Sequence, residues 1–197
     1  MEKHECKPVQ MKHHLKKDEF LDMPERREIF SPEELLQLLP IKISDDILDL
    51  GAGTGYLTIP AAHAVDGLVH ALDTNPMMLE AIACKADAES LNNIRLIEGS
   101  VKSIPLPDSS IDVALASLVL HEVKPLTEVL KQIGRVLKEG GSLLCFDYEA
   151  VECPIKAPPM NMRIPSSVME QELLDSGFTI VKKLFPREYM YVFVAEK

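Results

Sequence analysis

Positive charge is in short supply: 31 acidic residues against 21 Lys and Arg leave a net charge of −10 over 197 residues. That balance works against binding a phosphate backbone or an anionic membrane surface, so neither nucleic acid nor membrane is an expected partner. The local basic run Lys12, Lys16 and Lys17 reads as a solvated face. Long apolar runs are missing as well. The longest, Ile111 to Leu120, contains Asp112 and falls short of the roughly 20 residues that cross a bilayer. The charged N-terminus shows no apolar signal-peptide core. Cysteines are few and scattered (Cys6, Cys84, Cys145, Cys153) with no C-x-x-C pair, so reduced thiols in a cytoplasmic protein are expected. Repeats and low-complexity tracts are absent, and the length suits one domain with a full core.

What is present is an alternation of strand and helix patterns. Residues 1 to about 30 read as a polar arm with a short helix. Ser31-Pro32-Glu33-Glu34 then combines a capping box with proline at the first helical position, and the helix should stop before Pro40. Strands are expected at 46–50, 68–72, 94–98, 111–117, 142–148, 178–185 and 189–196, and helices at 54–65, 76–89, 126–138 and 167–176. Gly140-Gly141 should end the third of these helices, Ser167 with Glu170 should cap the fourth, and Gly177 should close it. Pro60 predicts a kink or a late start in the first. The fold class is therefore α/β: a doubly wound, mostly parallel seven-stranded sheet with helices on both faces and a C-terminal antiparallel hairpin strand.

The densest signal is Ile47-Leu48-Asp49-Leu50-Gly51-Ala52-Gly53-Thr54-Gly55-Tyr56. An apolar strand ends in three alternate glycines and a helix start, so a ligand meets backbone without Cβ atoms, beside free N–H groups. A phosphate-binding P-loop is excluded, since no Gly-Lys-Ser/Thr follows. The dinucleotide fingerprint needs a third glycine where Tyr56 stands. Asp73 lies 22 residues after Gly51 at the end of the next strand, where a carboxylate can accept from both hydroxyls of a ribose. Asp49, before the glycines, would repel a pyrophosphate and suits a cationic, amino-bearing ligand.

The chain resembles the class I S-adenosylmethionine-dependent methyltransferases, of the small-molecule methylating kind. Five blocks in family order carry the match: Ile47–Tyr56, Ala71–Leu79, Gly99–Asp112, Leu118–Val123 and Arg135–Gly141. The resemblance implies S-adenosylmethionine as cofactor. It implies that Asp49 and the loop Gly51, Ala52, Gly53 and Gly55 hold its methionine part; Tyr56 beside them could shield that chain, pack on substrate or have a plain packing role. Asp73 would take the ribose. Thr74 with Met77 or Met78 would line the adenine pocket, Ser100 and Val101 would close on the adenine edge, and Ser117 and Leu118 would face the sulfonium. Many relatives carry Asp or Glu at the position of Ser100, which accepts more weakly. Residues 1–40 would form an arm and helix contributing part of a lid, and 41–197 the cofactor-binding domain.

Methyl transfer needs alignment and exclusion of water, and a base only where the nucleophile is protonated. His121, after the fourth strand, is the candidate base, with a structural role as the alternative; Glu122 would orient it or be solvated. His4, Cys6, His13 and His14 fit no zinc spacing, so no metal is assigned. Cys145 reads as a buried small hydrophobe, and no cysteine trio is evident. The Pro- and Met-rich stretch Glu152–Arg163 would supply an apolar rim, with Arg163 pairing a surface acid. Ser117-Leu118-Val119-Leu120 offers no ring to stack on a base. The expected function is methyl transfer to a small-molecule acceptor; the alternatives are a cofactor-binding protein without transfer activity and a nicotinamide-dependent reductase.

Overall fold

The computed structural model describes residues 30–197. The arm over 1–29, with His4, Cys6, His13, His14 and its lysines, lies outside the described residues. The elements are α1 (Pro32–Leu36), β1 (Ile47–Leu50), α2 (Thr58–Ala64), β2 (Val69–Asp73), α3 (Pro76–Ala88), β3 (Ile94–Glu98), β4 (Ile111–Ser117), α4 (Leu126–Val136), β5 (Leu137–Tyr148), α5 (Ser166–Asp175), β6 (Thr179–Arg187) and β7 (Met190–Glu196). The seven strands form one sheet in the order β3-β2-β1-β4-β5-β7-β6. Pairings from β3 to β5 are parallel, and β7 runs antiparallel to both β5 and β6.

Successive strand residues point to opposite faces, and the core divides accordingly. Leu48, Leu50, Ala114 and Ala116 pack with Val129, Leu130 and Ile133 of α4 and Met169 and Leu173 of α5. Ile47, Val113 and Leu115 pack on the other face with Leu57, Ala61 and, from α1 and the turn after it, Leu35, Leu36 and Leu39. The α1 capping box forms as expected: the Ser31 N–H donates to Glu34 Oε2 at 2.8 Å and the Glu34 N–H to Ser31 Oγ at 3.2 Å. The helix closes at Leu36, and turns carry the chain on to Leu39.

Three local expectations change. The first crossover helix begins at Thr58, not at 54, which is the late start that Pro60 predicted as one of its two outcomes. Pro60 is then its third residue, where a backbone N–H has no intrahelical partner to lose. Gly140-Gly141 does not cap α4, which ends at Val136; the pair lies inside β5, where the Gly140 N–H donates to the Lys197 carbonyl at 3.1 Å. A Cβ on Gly141 would stand 2.8 Å from the Lys138 carbonyl oxygen, so this irregular strand start needs glycine. Finally, α5 has no side-chain cap of its own. The Ser166 N–H donates to the Glu149 carboxylate at 3.1 Å, while Glu170 pairs with Lys183. Gly177, at φ +91°, ends α5 as its position in the sequence suggests.

Cys145 is buried in β5, and burial pushes its thiol far above the ordinary range. Cys153 is also free. Cys84 is disulfide-bonded, against the expectation of four reduced thiols. Among the described residues no helix is long and apolar enough to cross a membrane, and no group of His, Cys, Asp and Glu is placed to hold a metal ion.

Candidate functional site

The strand order reverses between β1 and β4, and in doubly wound sheets a crevice forms at such a switch, beyond the carboxyl ends of the strands. A cleft of about 300 Å³ occupies that position. Its floor is the turn after β1. Gly51, Gly53 and Gly55 all have positive φ, at +62°, +53° and +89°. A Cβ on Gly51 would lie 2.4 Å from Val119 Cγ2. The glycine is therefore demanded twice, by its backbone conformation and by the close approach of the segment after β4. Because α2 begins only at Thr58, the turn itself, rather than a helix N-terminus, faces the cleft.

Two carboxylates frame that turn. Asp49 is 3% exposed on the all-buried β1, and its Oδ2 accepts from Thr58 Oγ1 at 2.6 Å. Asp73 stands at the tip of β2. Its Oδ2 accepts from the Gly53 N–H at 2.9 Å and its Oδ1 from the Asn75 N–H at 2.8 Å. One acid thus holds the glycine turn on one side and the start of α3 on the other. Lys85 of α3 adds a third restraint, donating to the Thr54 carbonyl at 2.7 Å. The Tyr56 hydroxyl donates to the Phe30 carbonyl at 2.7 Å, which ties the turn to the chain entering α1.

The remaining walls come from the ends of β3 and β4. Ser100 Oγ accepts from the Lys102 N–H at 3.2 Å, and Val101 is buried beside it. Arg135 of α4 steadies the loop beyond them, donating to the Ile104 and Leu106 carbonyls at 2.7 and 2.9 Å and pairing with Asp108 at 2.7 Å. After β4, Leu118 takes φ +56°, an unusual conformation for a bulky residue that concentrates at functional sites. Its N–H is held by the Phe146 carbonyl at 2.8 Å.

Twelve of the fourteen expected binding residues line this cleft: Asp49, Gly51, Ala52, Gly53, Tyr56, Asp73, Thr74, Met78, Ser100, Val101, Ser117 and Leu118. Two do not. Gly55 lies behind the turn, where a Cβ would stand 3.0 Å from Ile82 Cγ1, so it serves packing of α3. Met77 is 39% exposed and off the wall, leaving Met78 as the methionine at the cleft.

His121 requires a larger correction. It is 5% exposed and does not reach the cleft wall. Its ring turns toward β5, where Nδ1–H donates to Asp147 Oδ1 at 2.7 Å, and its backbone N–H donates to Asp147 Oδ2 at 3.2 Å. The partner that orients it is Asp147, not Glu122. Glu122 is exposed and, with Val123, forms the cleft wall that His121 was expected to form. Thr54, Leu57, Leu72, Asn75, Gly99 and Val119 also line the cleft without having been singled out. Their signal in the sequence was adjacency: each sits within two residues of one that was named.

The Glu152–Arg163 stretch contributes nothing to the wall. Arg163 does not pair with a surface acid. It donates to the Pro158 and Val151 carbonyls at 2.8 and 2.5 Å and sits 5.8 Å over the Tyr148 ring, so it braces its own loop.

A family model described as a methyltransferase domain matches residues 48–145, from β1 through most of β5. The chain is 32% identical over 124 residues to a demethylmenaquinone methyltransferase of Geobacillus stearothermophilus, covering 62% of this chain and 53% of that protein. It is 29% identical over 131 residues to the uncharacterized methyltransferase YcgJ of Bacillus subtilis, covering 64% and 51%. The chain thus spans about half the length of the curated relatives it matches. A crystal structure of a SAM-dependent methyltransferase from Aquifex aeolicus superposes with a TM-score of 0.83 at 26% identity, over 91% of this chain and 96% of that one. The cofactor of such enzymes bears a sulfonium and an ammonium against one carboxylate. Among the described residues the wall has three carboxylates, at Asp49, Asp73 and Glu122, and no Lys, Arg or His, which suits that charge. The sheet, the chemistry of the cleft at its switch point and the matched sequence agree: this chain belongs to the class I S-adenosylmethionine-dependent methyltransferases.

Proposed function

We propose that the chain transfers a methyl group from S-adenosylmethionine to a small-molecule acceptor. The observation that carries this reading is the glycine turn enclosed, among the described residues, by anionic side chains and by no cationic one. Asp73 takes the ribose: each of its oxygens accepts one backbone N–H and keeps acceptor capacity for a hydroxyl. The bulk of the nucleoside then lies toward β3, against Thr74, Met78 and Val101. The Ser100 oxygen accepts from the Lys102 N–H and keeps a second lone pair and its hydroxyl hydrogen for the base. The methionine part lies over the turn near Asp49, with Ser117 and Leu118 beside the sulfonium. The work of these residues is alignment and exclusion of water. A small acceptor is supported by the name of the Geobacillus relative and by the negative charge of the chain, which disfavours nucleic acid.

Calorimetry with S-adenosylhomocysteine, followed by transfer of tritiated methyl to a panel of amines, phenols, quinols and thiols, tests the proposal. Binding that weakens at least tenfold in Asp73→Ala, together with label on an acceptor, is expected. Absence of binding at millimolar protein removes the reading. Binding without label on any acceptor leaves a cofactor-binding protein without transfer activity.

A further inference from the structure

The cleft wall at the end of β4 is interrupted. Ser117, Leu118, Val119, Glu122 and Val123 line it, and the two residues between, Leu120 and His121, do not. Leu120 is buried in the core that α4 covers, and His121 turns to β5. Both ends of the interruption are tied to β5. The Leu118 N–H donates to the Phe146 carbonyl at 2.8 Å. Asp147, the next residue of β5, accepts the His121 N–H at 3.2 Å and the ring Nδ1–H at 2.7 Å. The Glu122 N–H returns to the Val119 carbonyl at 3.0 Å, so a 3₁₀ turn joins the wall residues on either side of His121.

This wall is under more strain than the rest of the cleft. Leu118 is held at φ +56°, and Val119 fills the space that a Cβ on Gly51 would need. Such a segment keeps its shape only when its surroundings over-determine it. Asp147 meets that need. It is 1% exposed, and its Oδ1 also accepts the Tyr148 N–H at 2.8 Å, so the carboxylate is itself fixed. An apolar contact is non-directional, whereas these bonds set both the place and the orientation of the turn. The nucleoside end of the cleft has separate restraints, in the bonds of Asp73 to Gly53 and Asn75 and in the grip of Arg135 on the loop after β3.

Resting on the methyltransferase reading, we infer that His121 and Asp147 are positioning residues for the methyl group. They hold the wall at Ser117–Val119 where sulfonium and acceptor align, and they act through the His121 Nδ1–H rather than by proton transfer. The strand order gives the cleft a direction. A nucleoside with its ribose at the tip of β2 and its base toward Ser100 places its sulfur toward β1 and β4. Release of the wall is therefore felt at the methyl end and not at the nucleoside end. A misplacement of about 1 Å there is enough to slow transfer about 100-fold.

The test compares the full-length wild type with His121→Asn and His121→Gln. The asparagine amide offers an N–H where Nδ1–H lies, and the glutamine amide offers one where Nε2 lies. The probes are adenosine, followed by calorimetry, and S-adenosylmethionine carrying carbon-13 in its methyl group, followed by NMR. Failure of the wild type to bind either probe overturns the methyltransferase reading itself. Adenosine affinity should stay within about twofold in both variants, which shows that the fold and the nucleoside end are intact. The bound methyl resonance should match the wild type in His121→Asn and move toward the free cofactor in His121→Gln. This readout needs no acceptor. With an acceptor that is turned over, kcat should fall at least about tenfold in His121→Gln, with the cofactor KM within about threefold, and should recover in His121→Asn. An unchanged His121→Gln overturns the assignment. Equal damage in the two variants overturns it by giving Nε2 a role of its own. Loss of adenosine binding in His121→Gln overturns it by making the pair an anchor of the whole fold.

Discussion

Gly51→Ala perturbs the cleft while leaving every carboxylate in place. The added methyl would stand 2.4 Å from Val119 Cγ2 and 3.0 Å from its Cβ, where carbon atoms normally keep near 3.5–4.0 Å. Val119 is 9% exposed and cannot simply swing into solvent. Overpacking of this kind costs about 1–3 kcal/mol. Holding an alanine at φ +62° adds about 1–2 kcal/mol. The expected loss is therefore roughly 2–5 kcal/mol, which at a urea slope of about 2 kcal/mol/M lowers the unfolding midpoint by roughly 1–2.5 M. Affinity for S-adenosylhomocysteine should fall as well, because relief of the clash moves the turn or the wall after β4. The double variant Gly51→Ala/Val119→Ala separates the two costs. It removes the methyl group that is struck but not the positive φ, so a coupling of about 1–2 kcal/mol should appear in the cycle. Urea unfolding of the four proteins measures it. Additive single effects would refute the steric part of this reasoning, and an unperturbed Gly51→Ala would refute all of it.

Asp147→Ala removes the acceptor of the His121 ring, the His121 N–H and the Tyr148 N–H at a site 1% exposed. A loss of at least about 3 kcal/mol is expected in chemical denaturation, with Asp147→Asn milder because it keeps one oxygen. The pH dependence of stability has an identifiable source in Asp112. Burial raises its carboxyl, but the Lys138 ammonium at 2.6 Å, the Asp46 N–H at 2.9 Å and the charges of Lys138 and Lys42 outweigh it, so the group lies below its ordinary value of 3.8. A depressed carboxylate contributes stability that is complete above that ordinary value and is lost as pH falls through the folded value. Urea midpoints between pH 6 and pH 2.5 should therefore fall less steeply for Asp112→Asn than for the wild type; parallel curves would remove Asp112 as a source.

Much of this molecule was written locally. The seven strands and the helices that carry the core follow from periodicity, and the glycine turn follows from backbone conformations that other residues adopt with strain. Ser31 and Glu34 formed their capping box because both partners lie within one helical turn. The same motif at Ser167 and Glu170 failed because β6 offered Lys183 to Glu170 and the end of β5 offered Glu149 to the Ser166 N–H. Gly140-Gly141 reads as a helix stop in isolation, yet its partner is Lys197 at the far end of the chain.

The sequence by itself determined that an acidic, side-chain-free turn would sit at the end of the first strand with a second acid at the end of the next, because spacing and glycine content dictate both within about 25 residues. Only the tertiary structure decided which of two adjacent polar residues after β4 meets the cleft. Neighbours in a tight turn point in different directions, and the choice fell to Asp147, 26 residues away, which captures the His121 ring in the core and so leaves the cleft to Glu122.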